Sequence, residues 1–558
     1  LGGCSVFTRR LMWLAPLLVV SGCAIQPEPA SQEEIATVAA IDRHLITQSQ
    51  DPVTAPLDLD TALARALKYN LDHRTQLMEQ ALAQKNLELV KMDMLPVMVA
   101  SAGYYTRSNY NASSSMSVLT YEESLEPSTS SDRDHGVGSV RFSWNILDFG
   151  VSYYQARQEA NRYLIAEKAR EKVMMRLLRQ TRAAFYRVAT LQTLAEPIDR
   201  LTAAANTSLA ALKKVREQQL RAPLAVLQDY RQLTELIQQL ESMHQIISAS
   251  QTELATLINV PPGTRLQVVA PGTLVAPRLA QVNLRELEKY ALVNSGDYVS
   301  EMYKLRIDQD ESRKALLRLL PGVEVAGDLV YDTNHFLWNN LWAEASTRLT
   351  WNIFRLIAYP RVVEQNDAKI ALDHTRRLAM NMAVIARLNL AWQEYNNALV
   401  RFDRASDIDS VDRDISALTT QAAASDAVDD LARIQNDVRA VRSSLARMLA
   451  FADTQDTYGA FLTSLGLNPV PENYQTYSVE DLARVIASRY DAIATGPLPT
   501  APIIPLPTSD GDEKAEATYH ALLSAISNAL PHKPDEDFGI DDISRDVRKA
   551  ISDWNGAS

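Results

Sequence analysis

The sequence predicts a mixed α/β membrane protein in which one helix–strand–strand–helix unit occurs twice. Three observations predict it: short motifs that recur in the same order, strict apolar–polar alternation at matching places in both copies, and an export-type amino terminus. Ala66-Leu67 followed by Asp72 returns as Ala291-Leu292 followed by Asp297, and Leu95-Pro96 returns at the same spacing as Leu320-Pro321. Ser143-Trp144-Asn145-Ile146 returns as Thr350-Trp351-Asn352-Ile353 at a shorter spacing. That spacing then holds: Leu224 and Gln228 match Leu431 and Gln435, and Val260 and Pro262 match Leu467 and Pro469. The change between Pro96 and Trp144 places a longer surface loop in the first copy.

Taken in order, residues 1–22 read as a signal peptide. Arg9-Arg10 precedes the apolar run Leu11 to Val20 and then Ser21-Gly22-Cys23, and the run is too short to stay in a bilayer as a span. Residues 23–56 read as an extended segment. The first copy, 57–263, opens with a helix from Leu57 to Met94 that Asp58 or Asp60 can cap and Pro96 stops. Residues 98–107 lose the helical period, and 108–136 have loop composition. Then Val140, Phe142, Trp144 and Ile146 alternate with Ser139, Arg141, Ser143 and Asn145. A long helix is expected from Val151 to about Leu220, disturbed at Glu196-Pro197, and another from Pro223 to Ile258.

After a linker at 264–281, the second copy covers 282–470. Its strands set Val323, Val325, Gly327, Leu329 and Tyr331 against Glu324, Asp328 and Asp332, and Ala345, Thr347, Leu349, Trp351 and Ile353 against Glu344, Ser346, Arg348, Thr350 and Asn352. Long helices follow from about Pro360 to Leu465, turning near 425–430; an acidic run, Asp403 to Asp414, reads as a solvent-facing or kinked stretch. Ser478-Val479-Glu480-Asp481 is a capping box opening a helical segment within 471–496, and 497–558 is a Pro-rich linker with an acidic tail.

A net charge of −12 argues against broad nucleic-acid binding. Two cysteines, Cys4 and Cys23, make neither a disulfide framework nor a thiolate metal site. The eight histidines form no His-x3-His pair, and no phosphate-binding, dinucleotide, zinc-protease or nucleophile-elbow motif occurs. No catalytic group, cofactor or metal is therefore expected. The alternating strands fit either half-buried soluble strands or barrel strands with one face in lipid and one in water. The export signal favours the barrel. Trp144 and Trp351, at strand ends, are then candidate interface aromatics or else core residues, and Arg141, Glu344 and Arg348 are candidates to line a pore or ordinary solvated residues.

Val20-Ser21-Gly22-Cys23 resembles the lipobox of bacterial lipoproteins, which implies that Cys23 is lipidated and, with Ala24 after it, sorted to the outer membrane. The duplicated unit, the Trp144-Asn145-Ile146-Leu147-Asp148-Phe149-Gly150 junction and the long Ala/Gln/Arg helices resemble the TolC-like outer-membrane channel proteins over about residues 57–470. In the second copy the junction fades to Ile353-Phe354-Arg355. The resemblance implies four strands per chain, three copies closing a twelve-stranded transmembrane barrel, and a periplasmic α-helical barrel below it. It implies a homotrimer in outer-membrane lipid, a periplasmic adaptor and an inner-membrane pump as partners. An open strand edge in lipid leaves unpaired backbone groups, which points to oligomeric closure independently.

In such a conduit the hairpin tips form the inner mouth. Leu220, Arg221, Ala222 and Pro223 are candidate docking residues, although the glycine common at such tips in this family is absent. Asp426, Asp429, Asp430 and Asp437 are a candidate periplasmic gate, the alternative being a solvated acidic turn; Arg216 and Arg221 are possible partners across the mouth. The expected function is the outer-membrane component of a tripartite export system for small toxic compounds. A duct for protein or polysaccharide secretion, or a non-conducting lipoprotein scaffold, are the alternatives.

Overall fold

The computed structural model describes residues 27–497, apart from 49, 54, 125, 220, 280–281 and 424–428. The signal segment, Cys23, Leu220, Asp426 and the tail from 498 onward thus lie outside the described residues. In chain order the elements are α1 (Gln32–Gln48), α2 (Leu59–Tyr69), α3 (Leu71–Met92), β1 (Val97–Thr106), β2 (Asp134–Asn145), α4 (Ile146–Leu191), α5 (Ala195–Glu217) and α6 (Pro223–Leu257). Then follow α7 (Leu284–Asn294), α8 (Gly296–Leu317), β3 (Gly322–Asp332), β4 (Leu341–Thr350), α9 (Tyr359–Ala423), α10 (Asp430–Ser464) and α11 (Val479–Thr495).

Capping side chains set several boundaries. Asp58 opens α2, its carboxylate accepting from the Thr61 amide at 2.7 Å. The single helix expected over 57–94 is two helices, because Asn70 takes extended backbone and its side chain accepts from the His73 amide at 3.1 Å. Ser295 does the same between α7 and α8, accepting from the Tyr298 amide. The lengths also correspond: α2 and α7 have 11 residues, α3 and α8 have 22, and α6 and α10 have 35. The long helices differ. Between α4 and α5 a 3-10 turn, Gln192–Leu194, interrupts the run just before Pro197, whose ring is incompatible with the preceding helical turn. No proline falls in α9 beyond its first turn, and it continues for 65 residues, roughly 100 Å.

The short helices α2 and α7 are each buried between two long ones. Ala62 and Ala66 of α2 pack with Leu177, Ala184 and Val188 of α4 and Leu254 and Ile258 at the end of α6. Leu287 and Ala291 of α7 pack with Val384 and Leu388 of α9 and Phe461 and Leu465 at the end of α10. Leu482 and Ile486 of α11 close over Leu63, Leu67 and Leu178. A fully buried side chain of this size contributes about 1.5–3 kcal/mol. Buried His73 ties the same region together: its Nδ1 lies 3.0 Å from the Leu67 carbonyl and its Nε2 3.2 Å from the Tyr474 hydroxyl. Burial pushes its pKa down, so the neutral ring donates to Leu67 and accepts from Tyr474.

Asp297, in the first turn of α8, joins three helices, bonding Lys172 of α4 at 2.8 Å and Arg387 of α9 at 2.7 Å. Burial pushes its pKa up, but these two cations outweigh burial and hold it below the ordinary carboxyl value. A depressed carboxyl contributes stability that is present above the unfolded value and lost as pH falls through the folded one. Both cations are about half exposed, so screening limits the gain to about 1–2 kcal/mol. Asp297→Asn should destabilise by that amount at neutral pH, and the gap between variant and parent should close below about pH 4; denaturant titrations at several pH values check both.

Gln219, at the turn after α5, has φ +52°, a left-handed backbone that glycine usually supplies. Relief of about 1–2 kcal/mol competes with glycine's entropic penalty of about 0.5–1 kcal/mol. Gln219→Gly should therefore slow amide exchange in the last turn of α5 severalfold.

Candidate channel wall and inner mouth

The four strands form one antiparallel sheet in the order β1–β2–β3–β4. The central pairing, β2 with β3, joins the hairpin-like pair β1–β2 to the pair β3–β4. Opposed residues of an antiparallel ladder share a face, so the register sorts every side chain. Val99, Arg141, Asp328 and Glu344 lie in one row, and Asn145, Glu324 and Arg348 in another on the same face. The three sequence candidates Arg141, Glu344 and Arg348 thus share one side of the sheet. The opposite side carries Met98 with Phe142, Val140 with Leu329, Trp144 with Val325, and Tyr331 with Leu341.

The polar side is the better covered one. Arg141 bonds Glu324 at 3.1 Å and approaches Asp328 at 3.8 Å, whose side chain is only 12% exposed. Met98 and Leu349 on the apolar side are 71% and 66% exposed. A water-soluble sheet has the reverse arrangement, and an apolar surface this continuous marks contact with lipid or protein. Glu324 and Asp328 were not among the sequence candidates, although their alternation in β3 carried the signal. Among the described strands, β1 and β4 each pair on one side only.

Both tryptophans sit where strands give way to long helices. Trp144 makes an edge contact with Phe149, ring centres 5.7 Å apart. The alternation expected through Ile353 stops earlier: β4 ends at Thr350, and Trp351 lies one residue beyond, its indole N–H donating to the Leu319 carbonyl at 3.0 Å. The two strand-to-helix junctions differ in their caps. Asn145 caps α4, accepting from the Leu147 amide at 3.0 Å. Asn352 makes no such side-chain bond, and a 3-10 turn, Ile353–Ala358, replaces the first helical turn.

At the far ends of the helices lie the two hairpin tips. In the first, Ala222 is non-helical and Pro223 occupies the first helical turn, where its missing N–H leaves no partner wanting. Arg221 bonds Asp229 of its own tip at 3.1 Å, rather than reaching across a mouth. In the second, Asp429 precedes α10 without a side-chain cap bond, and Asp430 is exposed. Asp430 and Asp437 share Arg433, each at 3.4 Å. Asp437 also accepts from the Ser416 hydroxyl at 2.5 Å and is 17% exposed, so it fastens α10 to α9 instead of facing outward. Asp409, in the acidic run expected to be solvent-facing or kinked, is buried within unbroken α9. It accepts from Ser444 and pairs with Arg413 and Arg447 at 3.0 Å. Phe402, Asp409 and Ser416, seven residues apart, all meet α10, a period the composition concealed.

No described helix is long and apolar enough to cross a membrane. No protein-family model matches the chain, and neither does any curated protein. Solved structures do resemble it. The outer-membrane channel OprN is 15% identical with a TM-score of 0.56, covering 75% of this chain and 90% of its own. The CmeC outer membrane channel of Campylobacter jejuni is 11% identical at a TM-score of 0.57, covering 77% and 89%. The outer membrane protein VceC of Vibrio cholerae is 12% identical at 0.53, covering 73% and 96%. The chain has the fold of the TolC-like outer-membrane channel proteins.

Proposed function

We propose that the protein is the outer-membrane channel of a tripartite export system, a passive conduit for small toxic compounds. One observation carries the reading: the sheet presents a bare apolar side and a covered, ion-paired polar side. A sheet of this kind belongs with its apolar side in hydrocarbon and its charged side in water. Its two open edges would leave unpaired backbone groups in lipid, each costing several kcal/mol. Three copies remove the edges. Each chain supplies four alternating antiparallel strands, so β4 of one copy meets β1 of the next in antiparallel sense and twelve strands close a barrel. The corresponding helix lengths support the two-copy reading of the chain.

Arg141, Glu344 and Arg348, with Glu324 and Asp328, then line the water-filled wall. Trp144 and Trp351 mark the interface on the helix side of the sheet. The helices continue the tube through the periplasm, where the tips at 219–223 and 429–430 meet an adaptor linked to an inner-membrane pump. Cys23 carries the lipid anchor. The chemistry requires no catalytic group: transport here is electrostatic selection along a lumen. Asp429 and Asp430, exposed at the second tip, form the charged mouth in threefold symmetry, while Asp437 has the structural part of that cluster.

The test is electrical. Purified protein in planar bilayers should give single-channel currents with cation preference, and absence of current would count for the scaffold alternative. Asp429→Asn with Asp430→Asn should move the reversal potential toward zero selectivity; an unchanged potential refutes the gate assignment. Asp437→Asn should instead lower hairpin stability by about 1–2 kcal/mol with little change in selectivity, measured by thermal unfolding beside the bilayer recordings.

A further inference from the structure

The apolar side of the sheet continues past the strand ends. Trp144, on that side, makes its edge contact with Phe149 in the first turn of α4. Tyr153 and Arg157 follow Phe149 at four-residue steps, so the three share one face of the helix. Phe149 and Tyr153 are both exposed. Beyond them the surface turns cationic. The Arg157 guanidinium lies 5.9 Å from the Tyr153 ring centre and 5.7 Å from that of Tyr154. Arg313 of α8 lies 5.8 Å from the Tyr154 ring centre. The order along this surface is apolar strand, aromatic rings, paired guanidiniums. A lipid leaflet has the same order, with acyl chains first, then the interface that Trp and Tyr favour, then phosphate.

One carboxylate holds both arginines. Arg313 donates to Asp310 at 3.1 Å, and the Arg157 Nε stands 3.4 Å from the same side chain. Asp310 is 1% exposed, whereas both guanidiniums are nearly half exposed. One buried negative charge beneath two positive ones leaves a surplus of one at the surface, in a chain whose net charge is −12. Neighbouring Lys314 does not alter the balance, because Glu311 pairs with it at 2.8 Å. Among the described residues Arg157 meets Asp310 only at ion-pair distance, and Arg313 makes the one bond to it. A guanidinium carries five N–H donors, so most of these lack a protein acceptor there. Forked donors of this kind match the oxygens of a phosphate. We propose that Arg157 and Arg313 bind the phosphate of an anionic phospholipid in the leaflet on the helix side of the sheet. The proposal rests on the reading above that the apolar side of the sheet lies in hydrocarbon. The aromatic ladder offers a wall to the acyl chains, which a free phosphate does not have, and the surplus charge favours a negative headgroup over a zwitterionic one.

The experiment reconstitutes the full chain in phosphatidylcholine vesicles containing phosphatidylglycerol that carries a photoreactive group in either its acyl chain or its headgroup, and maps the adducts by mass spectrometry. Acyl-chain adducts around Leu329 and headgroup adducts at Tyr153, Arg157 and Arg313 are expected. Acyl-chain adducts in place with headgroup adducts elsewhere overturns the lipid site and leaves the channel reading intact. No acyl-chain adducts on the sheet overturns both. Loss of the headgroup adducts to an equal concentration of free glycerol phosphate overturns the lipid and assigns a soluble anion instead. Arg157→Gln with Arg313→Gln, combined with Asp310→Asn so that no buried charge is left unpaired, should cut headgroup labelling about tenfold with helix content unchanged. Arg157→Lys with Arg313→Lys keeps both charges over Asp310 but not the forked donors, and should cut it severalfold. Arg306→Gln, on the same helix as Arg313 but over the Tyr303 ring, should leave it unchanged. Parental labelling in both site variants overturns the proposal.

Discussion

Hydrocarbon cannot hydrogen-bond, and that constraint organises the whole molecule. A four-stranded sheet with two open edges is tolerable in water and untenable in lipid. With the apolar side of this sheet in lipid, as proposed, its edges must be met by other strands. On that proposal, closure by other copies of the chain follows from the backbone before any side chain is considered. The side chains then fix the register. A slip of β2 by one residue would turn Arg141 to the other side of the sheet, and in the proposed barrel an arginine at the midplane of the wall costs about 2–4 kcal/mol. The ion pairs of Arg141 with Glu324 and Asp328 belong to the same economy of charge: they keep opposite signs adjacent on the wetted side.

Away from the sheet a different logic applies. The helices are polar enough to live in water and long enough to need lateral fastening. Apolar clusters supply most of it, and a few buried or partly buried charges fix the register of helix against helix. Asp409 between α9 and α10, Asp297 among α4, α8 and α9, and Asp437 against Ser416 are of this kind. An unpaired charge at such sites would be strongly destabilising, so they specify which turns face each other. The same residue type therefore has opposite roles along one hairpin: Asp430 is exposed at the tip and Asp437, two turns on, is locked inside.

Much of the architecture was legible in the chain. From Leu57 onward the helix–strand order, the long helices, the alternation in β2 and β3 and a cap at Asp58 or Asp60 followed from period and capping chemistry alone, whereas helix α1 falls in a stretch, 23–56, that reads as extended. What escaped notice was local competition and long-range pairing. Asn70 and Ser295 end helices by hydrogen-bonding nearby amides, and neither breaks the apolar period. Trp351 continues the alternation of β4 in sequence, yet its indole is drawn to the Leu319 carbonyl by chain folding. Glu324 and Asp328 could have been found from parity in β3, but their partner, Arg141, is set by which strand lies next to which. Asp409 and Asp437 looked like surface charges because composition does not reveal which side of a long helix meets its neighbour.

The account stands on which side of the sheet meets hydrocarbon. A spin label at Leu329→Cys, compared with one at Asp328→Cys in membrane-reconstituted protein, measures this directly through collisions with oxygen and with a water-soluble nickel chelate. Oxygen-accessible, nickel-protected Leu329 beside nickel-accessible Asp328 is the expected pattern. Nickel reaching Leu329 as freely as Asp328 would contradict it, and with it the channel.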